Sequence, residues 1–166
     1  MNTRLKKISI IILLMLSTAS AQALSLIRTS GEVFSHTVLS LLDNPRNEQP
    51  WTLLINSQAD WEDFYNQPLA YMQFAQGQVP TAPTLDFENY QVVAGGLGIK
   101  NNGGYRLIVS DVYEFDNEVN IHVLVIQPSA NCLLPQVISY PSATILIRKT
   151  NKPLRFTTSQ LLDECL

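Results

Sequence analysis

Tyr105–Phe115 and Val119–Ile126 space apolar residues with the two-residue period of strands, and one stretch upstream has instead the spacing of a helix. Trp51–Ile55 reads as a strand. After it, Ser57 is placed to cap a helix, with Asp60 three residues on and further acids at Glu62 and Asp63 favouring the helix's positive end. Trp61, Phe64 and Tyr65 fall at i, i+3 and i+4 and share one face, which reads as core packing rather than a ligand platform. A second short helix is expected over Pro68–Gly77. Val79–Pro83 reads as an extended connecting arm, because each proline pushes its predecessor out of the helical region.

No proline occurs between Pro83 and Pro128, which suits long central strands. Strands are expected at Gln91–Gly96, Tyr105–Phe115, Val119–Ile126, Ala143–Lys149 and Leu154–Thr157. In the second of these, Tyr105, Leu107, Val109, Tyr113 and Phe115 share one side while Ile108 and Val112 fall on the other, so both faces carry apolar residues. In the third, Val119, Ile121, Val123 and Val125 lie together, opposed by Asn120, His122, Leu124 and Ile126. Asp116-Asn117-Glu118 reads as a hairpin break and Thr150-Asn151-Lys152-Pro153 as a further turn. Upstream, residues 24–50 hold a short strand at Ser25–Thr29, an apolar stretch Val38–Leu42 and a polar loop Asp43–Pro50. The pattern predicts an α+β domain: an antiparallel β-meander sheet of about five to seven strands with one or two packed helices.

The beginning of the chain has a different character. Arg4, Lys6 and Lys7 precede an apolar run Ile8–Leu16 and the small-x-small sequence Ala21-Gln22-Ala23, the pattern of a secretory signal peptide over residues 1–23 with cleavage after Ala23. An uncleaved anchor is the alternative, but the run is short for a bilayer and no later stretch approaches the roughly 20 apolar residues a span requires. The mature chain is expected to be periplasmic or secreted and soluble, with no cysteine near the cleavage site to carry a lipid. Losing three cations leaves eight Lys and Arg against fourteen acids, a net charge of −6. Without a cationic cluster, nucleic acid is not an expected partner. An oxidising compartment favours joining Cys132 to Cys165 over leaving two free thiols, and such a bridge would constrain the unfolded chain by roughly 3–4 kcal/mol.

Five of the seven glycines fall between Gly95 and Gly104. The segment fails the phosphate-loop pattern G-x-x-x-x-G-K-[ST] and the dinucleotide pattern G-x-G-x-x-G, and it runs into a strand rather than a helix. The structural reading gives Asn101, Asn102 and Gly103 a positive φ in a tight connection and lets Gly96 and Gly98 form a bulge or a close backbone approach. Asp86-Phe87, Val92-Val93, Gly98, Gly103-Gly104-Tyr105, a long hairpin, Pro128, Pro141 and a final strand pair follow in an order that resembles the PrcB C-terminal domain family, the protease-complex stabilising subunit. With the Trp51 strand and the Ser57–Trp61 helix, the resemblance covers roughly residues 51–157 within a domain placed at 51–166, residues 24–50 forming an N-terminal segment. It implies an accessory protein of the cell envelope or exterior that binds and stabilises a protease and has no chemistry of its own. Asp86, Phe87, Gly98, Gly103, Gly104 and Tyr105 carry over as fold determinants.

Catalytic readings find little support in the residues. The histidines are His36 and His122, no serine sits in G-x-S-x-G, and His122 reads as a satisfied, partly buried side chain. No metal or cofactor is expected. Asp86, Glu88, Asp111, Glu114, Asp116 and Glu118 could hold calcium weakly if brought together, but read as solvated faces and turn tips. The basic group Arg148, Lys149, Lys152 and Arg155 balances the acidic hairpin or steers an acidic partner. In the proline-framed segment Pro128–Pro135, Leu133 and Leu134 either form an anchor for a protein partner or close one end of the core. A stabiliser would leave its protease active. An inhibitor would insert the Pro128–Pro135 loop into the protease cleft, and a hydrolase or small-ligand carrier would need a deep pocket.

Overall fold

A computed structural model describes residues 31–73 and 80–165. The signal peptide at 1–23, the cleavage site and the Ser25–Thr29 strand lie outside the described residues. The strands are β1 (Glu32–Val33), β2 (His36–Val38), β3 (Trp51–Ile55), β4 (Tyr90–Gly96), β5 (Arg106–Glu114), β6 (Val119–Pro128), β7 (Ser142–Arg148) and β8 (Leu154–Asp163), with one α-helix, α1 (Gln58–Asn66), between β3 and β4. They form two four-stranded sheets, β1-β5-β6-β8 and β2-β7-β4-β3.

A single meander of five to seven strands is therefore not the architecture. The chain crosses between sheets at the glycine-rich connection from β4 to β5, between β6 and β7, and again at residues 149–153, which lead from β7 to β8 in the other sheet. That last crossing makes β8 run parallel to β6, from Val119 beside Leu154 to Pro128 beside Asp163, while every other strand pair is antiparallel. Strand alternation reports which faces are buried but not which sheet a strand joins, and this is where the expected topology fails.

α1 forms for the reasons its sequence gives. Ser57 Oγ accepts the Asp60 N–H at 3.2 Å, and Trp61 and Phe64 are buried against β3 and β4 with Tyr65 beside them. The arm after Pro80 lies along the helix, its Pro83 carbonyl accepting the Trp61 indole N–H at 3.0 Å and the Leu85 N–H donating to Gln58 Oε1. Of the expected Pro68–Gly77 helix, the described residues form a 3₁₀ turn at Pro68–Tyr71, and 74–77 lie outside the described residues. The molecule thus has three layers: sheet β1-β5-β6-β8, sheet β2-β7-β4-β3, and α1. β4 in the middle layer is covered on both faces, so Gln91, Val92, Val93 and Ala94 are all buried.

A bulge between Val109 and Asp111 resolves the imperfect alternation of β5. Inserting Ser110 shifts the facing by one residue, so Val109 and Val112 both point at the other sheet, and Tyr113 does not share the core face. Phe34, which leads from β1 to β2, enters the same core with Val93, Val119, Ile121, Ile145 and Ile147. Residues 31–50, the described part of the N-terminal segment expected at 24–50, thereby give an edge strand to each sheet.

Candidate docking surface

The two connections that cross between the sheets after β4 and after β6 pack on one another and form one end of the sandwich. Lys100 and Ser139 exchange backbone hydrogen bonds at 2.9 and 3.0 Å, Ser139 Oγ donates to the Asn102 carbonyl at 2.6 Å, and the Leu97 N–H donates to the Pro141 carbonyl. Two of the motif glycines are required by these contacts. Gly98 has φ +72°, and a Cβ there would lie 2.6 Å from the Glu48 carbonyl oxygen. At Gly104 a Cβ would lie 2.5 Å from Leu134 and 2.9 Å from Pro128. A Cβ at Gly103 would make only an ordinary contact, with Val137 at 3.7 Å, and Asn101, Asn102 and Gly103 do not adopt the expected positive φ. The Asn102 side chain makes the turn instead, accepting the Gly104 N–H at 3.0 Å. Tyr105 follows, half-buried, with Lys100 over its ring.

The loop of residues 129–141 is fastened at its start. Cys132 and Cys165 are joined, the Ser129 N–H donates to the Asp163 carbonyl at 2.9 Å, and Asp163 pairs with Arg106 at 2.8 Å. Between these ties and the Lys100–Ser139 bridge, Leu133 and Leu134 part company. Leu134 is half-buried over Gly104, whereas Leu133 stands fully in solvent, and Val137, Ile138 and Ile99 on the same two connections are also exposed. Sequence reasoning left these two leucines as a pair. Gly104 was the signal that could have separated them, because a glycine entering a strand marks where another side chain comes close.

At the other end of β4, Asp86 organises the turn that precedes it, Oδ1 accepting the Glu88 and Asn89 N–H groups and Oδ2 the Asn89 amide at 2.8 Å. The Asn89 side-chain hydrogen bond holds its carboxyl below the ordinary range. Phe87 packs on the α1 side of the sheet. The basic and acidic groups meet: Glu114 accepts from Lys152 at 2.9 Å and Arg148 at 3.1 Å, and Arg155 lies 3.9 Å from Glu118. Lys152, then Arg148, hold the Glu114 carboxyl below its usual value of 4.5. Lys149 donates to the Phe87 carbonyl. The Arg148–Glu114 pair ties β7 of one sheet to β5 of the other. No three metal-ligating side chains converge among the described residues.

His122 sits on the outer face of its sheet beside the bulge, with Ser110 Oγ at 3.0 Å and Asp111 Oδ2 at 3.8 Å. Both approach Nδ1. A nucleophilic triad needs the hydroxyl and the carboxylate on opposite ring nitrogens, so this group has the residue types without the arrangement.

No helix among the described residues is long and apolar enough to cross a membrane. No curated protein and no solved structure matches the chain. The family comparison does give a match, over β4, β5, β6, the tethered loop and β7. Residues 91–148 match the family model described as PrcB C-terminal.

Proposed function

We propose that the chain is an exported, nonenzymatic accessory subunit that binds and stabilises a protein partner, a protease. The observation that carries this reading is the family match over residues 91–148, which spans the tethered loop and the glycine-rich connection packed against it. In this reading the signal peptide ends at Ala23 and the bridge between Cys132 and Cys165 forms after export, in a soluble product with no lasting membrane insertion. The partner-binding side chain is Leu133, and Leu134 braces it from below. An apolar anchor on a loop fastened at both ends loses little conformational freedom on binding. Binding the folded partner alone raises that partner's stability by mass action. Asp86, Phe87, Gly98, Gly103, Gly104 and Tyr105 act through the fold, and no cofactor takes part.

The test is affinity capture of the mature chain from the envelope or culture fluid of the cell that makes it, with assay of the captured protease. The expected result is an active protease whose half-life falls when this chain is deleted. An inactive protease that regains activity on release would favour the inhibitor reading, in which the Pro128–Pro135 loop fills the protease cleft. Recovery of no protease overturns both.

A further inference from the structure

Between the two sheets, toward the end that carries the glycine-rich connection, lies a cleft of about 360 Å³ that reaches β8 at Phe156 and Thr158 and β3 at Trp51 and Thr52. One wall includes Val123, Val125 and Phe156, and the facing wall includes Val93, Gly95, Ala143 and Ile145. Gly95 and Ala143 interrupt the second wall with small residues between its branched ones, and the gap lies over them. No charged side chain lines it.

The edge beside the cleft is unusual for a sheet protein. Exposed edges are normally kept short or broken with proline, lysine or a bulge. β1 and β2 have two and three residues. β8 has ten, Leu154–Asp163, with no proline, lysine or register shift, and among the described residues no strand pairs with its outer side. Its row of backbone donors and acceptors is complemented by another extended chain and by no small apolar molecule.

We propose that this side of the sandwich receives an extended strand of the protein partner, which pairs with β8 and sets alternate apolar side chains into the cleft. The inference rests on the reading that the chain binds a protein, and it assigns that binding a second surface besides Leu133. The dimensions suit it. From Ile121 to Val125 the cleft follows β6 for about 13 Å, and a strand repeats its side chains on one face about every 7 Å, so two or three apolar side chains fit.

The test places a photoreactive benzophenone residue at Gln160, exposed on β8, or at Glu62, exposed on α1, in the full chain made in its own cell. The Gln160 probe is expected to join a partner segment with apolar residues at alternate positions, and the Glu62 probe is not. Ala143→Leu fills the gap, so it is expected to lower the Gln160 crosslink about tenfold while holding or raising Tm, and Thr158→Arg, which sets a charge at the rim, serves if Ala143→Leu does not fold. Undiminished crosslinking in a folded variant, a crosslink between two copies of this chain, or a small apolar molecule retained in the cleft by native mass spectrometry overturns the inference. If wild type captures a protease but Gln160 does not crosslink to it, this inference fails alone. If wild type captures none, the functional reading fails first.

Discussion

The two sides of the sandwich are built from the same strands and differ in how their inner faces meet. Toward β1 and β2, Val112, Val119 and Ile121 of one sheet close on Val93, Ile145 and Ile147 of the other, with Phe34 over the top and Glu114 bridging to Arg148 and Lys152 at the rim. Toward the end that carries the glycine-rich connection the same strands β4, β6 and β7 continue, but Gly95 and Ala143 stand in place of large residues and the cleft opens. Hydrogen-bonded register is uninterrupted in β4 and β7 across both halves. The first half is closed by packing, and the second keeps the cleft.

The largest effect that separates the halves is truncation of a buried side chain. Ile147 is fully buried in the closed half, so Ile147→Ala is expected to cost about 2–5 kcal/mol, because the removed methyls leave a void that rigid neighbours cannot fill. Val125→Ala, in the wall of the cleft, removes atoms that face open space and is expected to cost less than about 1 kcal/mol. Urea unfolding of both variants at constant m-value makes the comparison. Equal losses would mean that the two sides are packed alike.

A second contrast lies within the glycine-rich connection. Gly98→Ala forces a side chain into the left-handed region and against the Glu48 carbonyl, and is expected to cost about 1–3 kcal/mol. Gly103→Ala meets nothing closer than Val137 and has no positive φ, so its effect should stay within about 0.5 kcal/mol. Thermal unfolding orders the two. The reverse order would show that Gly103, rather than Gly98, sets the course of the connection.

These positions also mark how much was legible in the sequence. Ser57, Asp60 and the Trp61-Phe64-Tyr65 stripe located α1 because capping and packing there depend on neighbours within one turn. The strands β3 to β7 were placed nearly to the residue for the same local reason. Their division between sheets was not legible, since alternation is identical whichever strand lies alongside, and the parallel extension of β8 from Thr157 to Asp163 left no signal in its mixed residues. Val112 did break the pattern of β5, and that break was the trace of the bulge at Ser110, whereas Ile108 lies before it on the outer face. The cleft escaped notice because it arises from pairs across the sheets, Gly95 and Ala143 against Val123 and Val125, that no sequence spacing brings together.

The closed rim should show itself in acid. Lys152 and Arg148 hold the Glu114 carboxyl below its ordinary value of 4.5, so the unfolded chain binds this proton more readily than the folded one. The resulting stability is complete above the ordinary glutamate range and is lost as pH falls through the lowered value. Glu114→Gln is expected to flatten that part of the stability curve below about pH 5, leaving the share due to Asp86, whose carboxyl is lowered by Asn89. Denaturant midpoints measured from neutral pH downward test the slope. An unchanged slope in Glu114→Gln would mean that the Glu114 bridge does not help to hold the closed side.

The smallest expected change in stability belongs to the free surface, and it is informative because it is small. Leu133 touches solvent on every side, so Leu133→Glu removes no buried area and should alter the unfolding free energy by less than about 0.5 kcal/mol. Leu134, one residue along, covers Gly104 beside Pro128, and Leu134→Glu would set a charge against that contact at a cost of about 1–3 kcal/mol. If Leu133→Glu folds as wild type yet no longer captures the protease, the side chain is held out for a partner. If the two variants unfold alike, the loop packs both leucines, and the distinction between a bracing residue and a contacting one is lost at this end of the molecule.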